Sequence, residues 1–272
     1  GASGFAASAR GGPGGVRRAA PNCPPAWELS VRSRLAVSLT VWPALATAPI
    51  VLAAIGFVWF YAPVEATMGI AQKIFYFHVP SAYSMYAATA VCAGASVVYL
   101  ATGSDRADAL AAAAGSVALL FAVVVLTTGP LWARADWGVW WTWEPRLTAV
   151  LVLGLVLAAH AAVRRAAERS PGLARFAAAL AVLGALDLPL IHVAVRKWRG
   201  HHPTVIGRGG SGLDPDMAVT LGVCLAAFTV LWIALLCLRY RVERARRDLA
   251  RLSASAALGE VAVATEEGRC PA

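Results

Sequence analysis

Apolar residues run through this chain in six blocks, at roughly 37–61, 81–101, 109–131, 147–163, 174–194 and 217–238, with charges and prolines between them. A membrane-spanning helix needs about 20 predominantly apolar residues, and the fourth and shortest block sits at the low end of the usual range of about 17–25. The pattern predicts an all-α polytopic membrane protein, a bundle of about six transmembrane helices. Composition points the same way: 59% hydrophobic residues, 14% charged residues and a mean hydropathy of +0.64 leave too little polar surface for a soluble domain of 28.3 kDa.

The flanks differ in character from the blocks. Residues 1–36 are rich in Gly, Ala, Pro and Arg and lack the apolar core of a signal peptide, so they are expected to form a disordered cytoplasmic tail. Residues 37–240 then form a six-span membrane domain, and 241–272 a basic cytoplasmic tail. Orientation follows from the cations. Seventeen of the 24 Lys and Arg fall on one predicted side; the other side holds only Lys73, Arg134, Arg146, Arg196, Lys197, Arg199 and Arg208. The positive-inside rule therefore places both termini in the cytoplasm and loops 1, 3 and 5 on the outer face of the cytoplasmic membrane.

Charge and cysteine usage narrow the function. The formal net charge of +9 is mostly this topogenic arginine, with Arg239 to Arg251 placed to rest against anionic lipid, and it needs no nucleic acid to explain it. Five cysteines, Cys23, Cys92, Cys224, Cys237 and Cys270, make no CxxC and no CxxCH, which excludes a c-type cytochrome and a dithiol oxidoreductase. There is no GxSxG, no phosphate-binding loop and no HExxH, so no enzymatic nucleophile or zinc-hydrolase site is visible.

The chemistry concentrates in the outer loops. Five of ten tryptophans, Trp132, Trp137, Trp140, Trp141 and Trp143, lie within twelve residues of loop 3. At helical spacing Trp137, Trp140 and Trp141 share one face, and two readings stand level: an unusually heavy interfacial anchor, or a platform for a large planar ligand. Histidines weigh on the choice. His78 lies at the outer edge of the second block, and His192, His201 and His202 follow the fifth, all on the tryptophan side; His160 alone is elsewhere, about 20 Å down the fourth helix at 1.5 Å per residue. Haem is a flat apolar macrocycle with two carboxylates whose iron takes neutral imidazole nitrogen. Tryptophan planes, two histidines and outer Arg or Lys match its parts. Zinc on His192, His201 and His202 is the main metal alternative but leaves the tryptophans unexplained. Asp187, inside the fifth block two residues before Pro189, should face the bundle as a structural partner to a broken helix.

Three segments carry a resemblance: Asp136-WGVWWTWEPRLT, Lys73-IFYFHVPSAYSMY and Leu188-PLIHVAVRKWRGHHPTV. Together they resemble the tryptophan-rich (WWD) haem-handling membrane proteins of cytochrome c maturation, and within them the haem exporter protein C (CcmC) family, over roughly residues 37–240. The resemblance implies a haem-handling domain that carries haem b non-covalently. It implies His78 and His202 as axial ligands of the haem iron, with His201 beside His202 as the alternative and His192 behind them. Trp137, Trp140, Trp141 and Trp143 would line the porphyrin, with Glu144 and Arg146 at its edge. Glu144 stands where the family usually has Asp, and Pro145 resembles the haem-lyase relatives. The implied function is a carrier rather than an enzyme: a haem export component of the cytoplasmic (inner) membrane that presents haem on the outer face to the haem chaperone CcmE, with the ABC transporter subunits CcmA and CcmB and the small protein CcmD. The competing classes are a CcsA- or CcmF-type cytochrome c haem lyase, and a structural membrane subunit whose tryptophans only anchor it.

Overall fold

Each apolar block becomes a helix whose ends are set by identifiable residues. The computed structural model describes residues 45–166, 170–197 and 213–267, and among these there is no strand beyond one isolated bridge, Glu65 to Gly69. Helix α1 spans Leu45–Phe60, and a 3-10 turn at Ile70–Ile74 leads into α2 (Phe75–Thr102). Then follow α3 (Asp105–Trp137), α4 (Pro145–Ala166), α5 (Pro171–Lys197) and α6 (Pro215–Glu267). Helices α2 to α6 are each long and apolar enough to cross a membrane. Helix α1 as described is shorter, and the first part of the expected block, 37–44, lies outside the described residues, as does the predicted tail 1–36.

Large apolar side chains cover the outside: Leu52, Phe60, Leu120, Leu155, Leu186 and Ile233 are all exposed. Such a surface suits hydrocarbon as solvent. The chain is a multi-pass membrane protein. Inside, the α2–α3 contact is built of small residues, among them Ala88, Ala95, Ala111, Ala114, Ala118 and Ala122, all buried. With no hydrophobic drive between helices in lipid, small side chains gain close backbone approach and dispersion. The central core joins Met85, Phe121, Leu153, Leu157 and Ile191 from four helices. A second cluster packs Ala54 and Val58 of α1 against Tyr76, Leu221 and Cys224.

Three boundaries differ from the sequence expectation, each for a local reason. Helix α2 begins at Phe75 rather than near 81, so His78 and Pro80 lie inside it rather than in a preceding turn. Pro80 removes a single hydrogen bond close to the helix start, where the loss is smallest. Helix α3 continues to Trp137 and is stopped by Gly138 at φ 75°, ψ 0°, a left-handed conformation that a side chain would disfavour. The expected common helical face of Trp137, Trp140 and Trp141 therefore does not exist: residues 139–144 are non-helical. Helix α6 runs on through 241–267 instead of ending near 238, because its extension is tied back to α3: Arg247 bonds Asp108 at 2.8 Å, and Arg251 bonds Asp105.

The bundle thus has two unlike ends. One collects residues 61–74, residues 138–144 and the start of α6. The other holds the α2–α3 turn, the end of α4, the start of α5 and the basic extension of α6.

Candidate functional site

At the first end, α2, α3 and the start of α4 enclose a narrow cleft of about 70 Å³ that opens to the outside. Its walls are Met85, Val125, Leu126, Leu147 and Val150, and around them stand His78, Tyr86, Trp132, Trp137, Trp141 and Arg146. Sequence order explains the assembly. His78 is in the first turn of α2, Trp137 is the last residue of α3 with Trp132 between one and two turns before it, and Gly138 reverses the chain so that Trp141 folds back over the same opening. Pro145 then occupies the first position of α4, where its missing N–H costs nothing. The Glu144 carbonyl accepts the first helical bond from Thr148 N–H at 3.0 Å, and a carboxylate at that position suits the helix N-terminus.

The state of His78 is fixed by its neighbour. The Thr128 hydroxyl donates to the Val124 carbonyl at 2.7 Å, so its oxygen must accept from His78, whose Nδ1 lies 2.8 Å away. Nδ1 therefore carries the proton and Nε2 the free lone pair, the tautomer that a metal-binding imidazole needs. Nε2 has no hydrogen-bond partner among the described residues. Gly129 makes room for the ring: a Cβ there would stand 3.3 Å from His78 Cε1.

The aromatic walls are paired edge to face. Trp132 and Trp137 meet at 5.4 Å and 78°, Trp141 and Trp143 at 5.9 Å and 76°, arrangements that suit the ring quadrupoles. The Trp141 indole N–H is buried with no acceptor among the described residues, an uncompensated donor of the kind that calls for a ligand or water. Arg146, beside Tyr86 and Glu144, supplies the cleft's positive charge. The donor set suits a flat apolar anion with a metal at its centre: the His78 imidazole nitrogen, the Trp141 N–H and the Arg146 guanidinium beside the Tyr86 hydroxyl, among aromatic and aliphatic side chains.

Comparison with known proteins supplies the family. The family model described as heme exporter protein C matches residues 28–255. The chain belongs to the heme exporter protein C family. It is 37% identical over 221 residues to heme exporter protein C of Bradyrhizobium diazoefficiens, covering 80% of this chain and 84% of that one. It is 34% identical over 210 residues to the Escherichia coli K12 protein of the same name (73% and 82%), and 31% over 214 residues to that of Haemophilus influenzae (77% and 87%).

Within this member of the family, the residues singled out by sequence separate into three groups. His78, Trp137, Trp141 and Arg146 come together in the cleft. Trp140 and Trp143 do not line it and are 57% and 76% exposed, and Glu144 lies beside it at the start of α4. His201 and His202 lie outside the described residues, so the zinc set with His192 does too. His192 is exposed, its ring 5.6 Å from that of Tyr86. Two cations expected on the outer side have other roles. Lys73 is buried and bonds the carbonyls of Val58 at 2.8 Å and Trp59 at 3.2 Å, capping the end of α1. Arg134 bonds the Gly138 carbonyl and holds the turn after α3. Asp187 is half-buried, with Oδ2 covered and no partner for it among the described residues.

Tyr86, Thr128, Gly129 and Trp132 belong to the site and were not singled out as ligand-contacting residues. The Thr128-Gly129-Pro130 run in an otherwise apolar block is the sequence signal for them, since Gly-Pro marks a local irregularity and close approach.

Proposed function

We propose that this protein carries haem b, non-covalently, in the cleft between α2, α3 and α4, as a component of cytochrome c maturation. The observation that carries the reading is the Thr128–His78 bond, which leaves an imidazole lone pair at an aromatic cleft that also holds Arg146 and the Trp141 N–H. Haem is cargo here. His78 would give one axial nitrogen and His202 of the fifth loop the other. Trp137, Trp141 and Trp132 would cover the macrocycle. Arg146 and the Trp141 N–H would receive its carboxylates, a charge-assisted pairing worth more in a cleft shielded from water than in solution. The described cysteines, Cys92, Cys224 and Cys237, lie in α2 and α6 outside the cleft lining, which supports non-covalent carriage.

The cleft end is read as the outer face of the cytoplasmic membrane, because the opposite end concentrates arginine. From there haem would pass to a haem chaperone of the CcmE kind, with CcmA, CcmB and CcmD as the partners that family membership suggests. The protein is read as a carrier rather than an enzyme, since the cleft offers ligands and a counter-charge and no nucleophile. Exposed Trp140 and Trp143 beside the opening would then meet the acceptor rather than the porphyrin.

The test is two double variants purified from haem-replete cells. Trp137→Ala with Trp141→Ala should lose most of the haem absorption per inserted molecule. Trp140→Ala with Trp143→Ala should keep it and transfer haem poorly. Equal haem in wild type and both variants would return the tryptophans to an interfacial belt.

A further inference from the structure

At the basic end a second groove opens, and it belongs to neither the haem cleft nor the core. Helices α4 and α6 both pack on α3 but scarcely on each other, so a strip of α3 stays uncovered between them. The groove, about 720 Å³ with its open side, has an inner wall of Ala112, Ser116, Leu119 and Ala161 and a rim of Arg165, Arg239 and Arg246. Other charges at the rim are already matched: Arg164 is held by Asp108 at 2.5 Å, and Glu243 by Arg247 at 3.0 Å. The three rim arginines have no partner among the described residues. A floor of small and apolar side chains, with the Ser116 hydroxyl turned back to the Ala112 carbonyl at 2.9 Å, under a cluster of uncompensated guanidinium groups is complementary to an anion joined to a hydrocarbon chain.

We propose that this groove is a binding site for an anionic phospholipid, its phosphate among Arg165, Arg239 and Arg246 and one acyl chain against the α3 strip. Guanidinium recognises phosphate through paired N–H donors, and basic pockets between spanning helices are natural headgroup sites. Haem, the other apolar anion in reach, fits less well. The groove's histidine, His160, donates Nδ1–H to the Ala177 carbonyl at 2.8 Å and turns Nε2 to Cys92 Sγ at 3.8 Å, with the ring wedged on Gly115. Its imidazole is 1% exposed, so iron would find no accessible nitrogen. The site stands independently of the haem reading, since it shares no residue with the cleft.

The test is native mass spectrometry on the delipidated full chain after exposure to vesicles of phosphatidylcholine alone or with phosphatidylglycerol. Wild type should retain phosphatidylglycerol in preference to phosphatidylcholine. The triple variant Arg165→Gln, Arg239→Gln, Arg246→Gln should retain about tenfold less, each lost cation weakening the anion's hold. A triple of equal charge at the same end but off the groove, Arg106→Gln, Arg175→Gln, Arg244→Gln, should behave as wild type. Ala161→Phe, which fills the floor and leaves every charge, should also shed lipid. Equal loss in the off-groove triple would reduce the site to diffuse charge and overturn the proposal. So would displacement of the lipid by inorganic phosphate alone or by haem, or full retention in Ala161→Phe.

Discussion

His78 and His160 sit in the same bundle, each with Nδ1 committed to an oxygen 2.8 Å away, yet they stand in opposite situations. His160 spends its second nitrogen on the interior, against Cys92 and a glycine, and is sealed there. His78 leaves its second nitrogen without a protein partner at the edge of a cleft. The same contrast separates the ion network of one end from the cleft of the other. The basic end pairs Asp108 with both Arg164 and Arg247, and Glu243 with Arg247, so much of its charge is neutralised by design of the fold. The cleft end leaves the Trp141 N–H without a partner and presents Arg146 toward an open volume. Paired groups hold the bundle together; groups left short of partners, at either end, are where something else binds.

The contrast breaks most readily at the histidines. His78→Ala should reduce retained haem about tenfold or more, on the scale of losing a metal ligand or its orienting partner. His160→Ala should leave haem per folded molecule unchanged while lowering the unfolding temperature. The readouts are haem absorption and thermal unfolding on the same detergent preparations.

Next in size is the ion network. Asp108→Asn strands two arginines that share one carboxylate in a partly buried site, and should cost about 1–3 kcal/mol of stability, less than a fully buried pair because water reaches its rim. Haem content per folded molecule should not change. Loss of haem at equal folding would mean that the two ends are coupled.

The glycines beneath the two rings sharpen the comparison. Gly115→Ala would place a Cβ 2.6 Å from the His160 ring, which has nowhere to go, and should destabilise the fold by about 1–3 kcal/mol. Gly129→Ala would place one 3.3 Å from His78 Cε1, at a cleft wall that can yield. It should shift the haem spectrum and cut retention several-fold with little change in melting.

What could be read from sequence alone follows the same division. The five long helices were legible because spanning helices are specified by length and hydropathy, which are local properties. The pairing of His78 with the loop 3 tryptophans needed the bundle's topology. It was reached through resemblance, and the composition of each segment alone left anchor and platform level. Trp140 and Trp143 could not be separated from Trp137 and Trp141 by spacing, because Gly138 ends the helix on which that spacing was reckoned. Lys73 looked like a free outer cation and proved to be the cap of α1, a role that depends on a chain reversal invisible in any window. His160 was rightly set apart by depth. Its partners, the Ala177 carbonyl and Cys92, come from other helices and carry no sequence signature.

The smallest effect concerns the loop that leads into α2. Glu65 accepts N–H bonds from Met68 and Thr67, and these hold its carboxyl below the usual carboxylate value. A depressed folded-state value means that the loop's stabilisation is complete above the ordinary range near ~4.3 and fades as pH falls through the lower folded value. Glu65 is half-buried in a surface loop that water reaches, so the effect should be slight. Proton exchange of the Thr67 and Met68 amides should quicken on acidification in wild type and be fast and flat in Glu65→Gln.

The most direct test of the central claim is the haem spectrum of His78→Gly with and without added imidazole, set beside His160→Gly, at equal amounts of inserted protein. If His78 Nε2 is the nitrogen that faces the iron, His78→Gly should lose the wild-type Soret band and recover it with imidazole, while His160→Gly keeps its band throughout. A wild-type band in His78→Gly without imidazole, or its loss only in His160→Gly, would contradict the assignment and exchange the roles of the two ends.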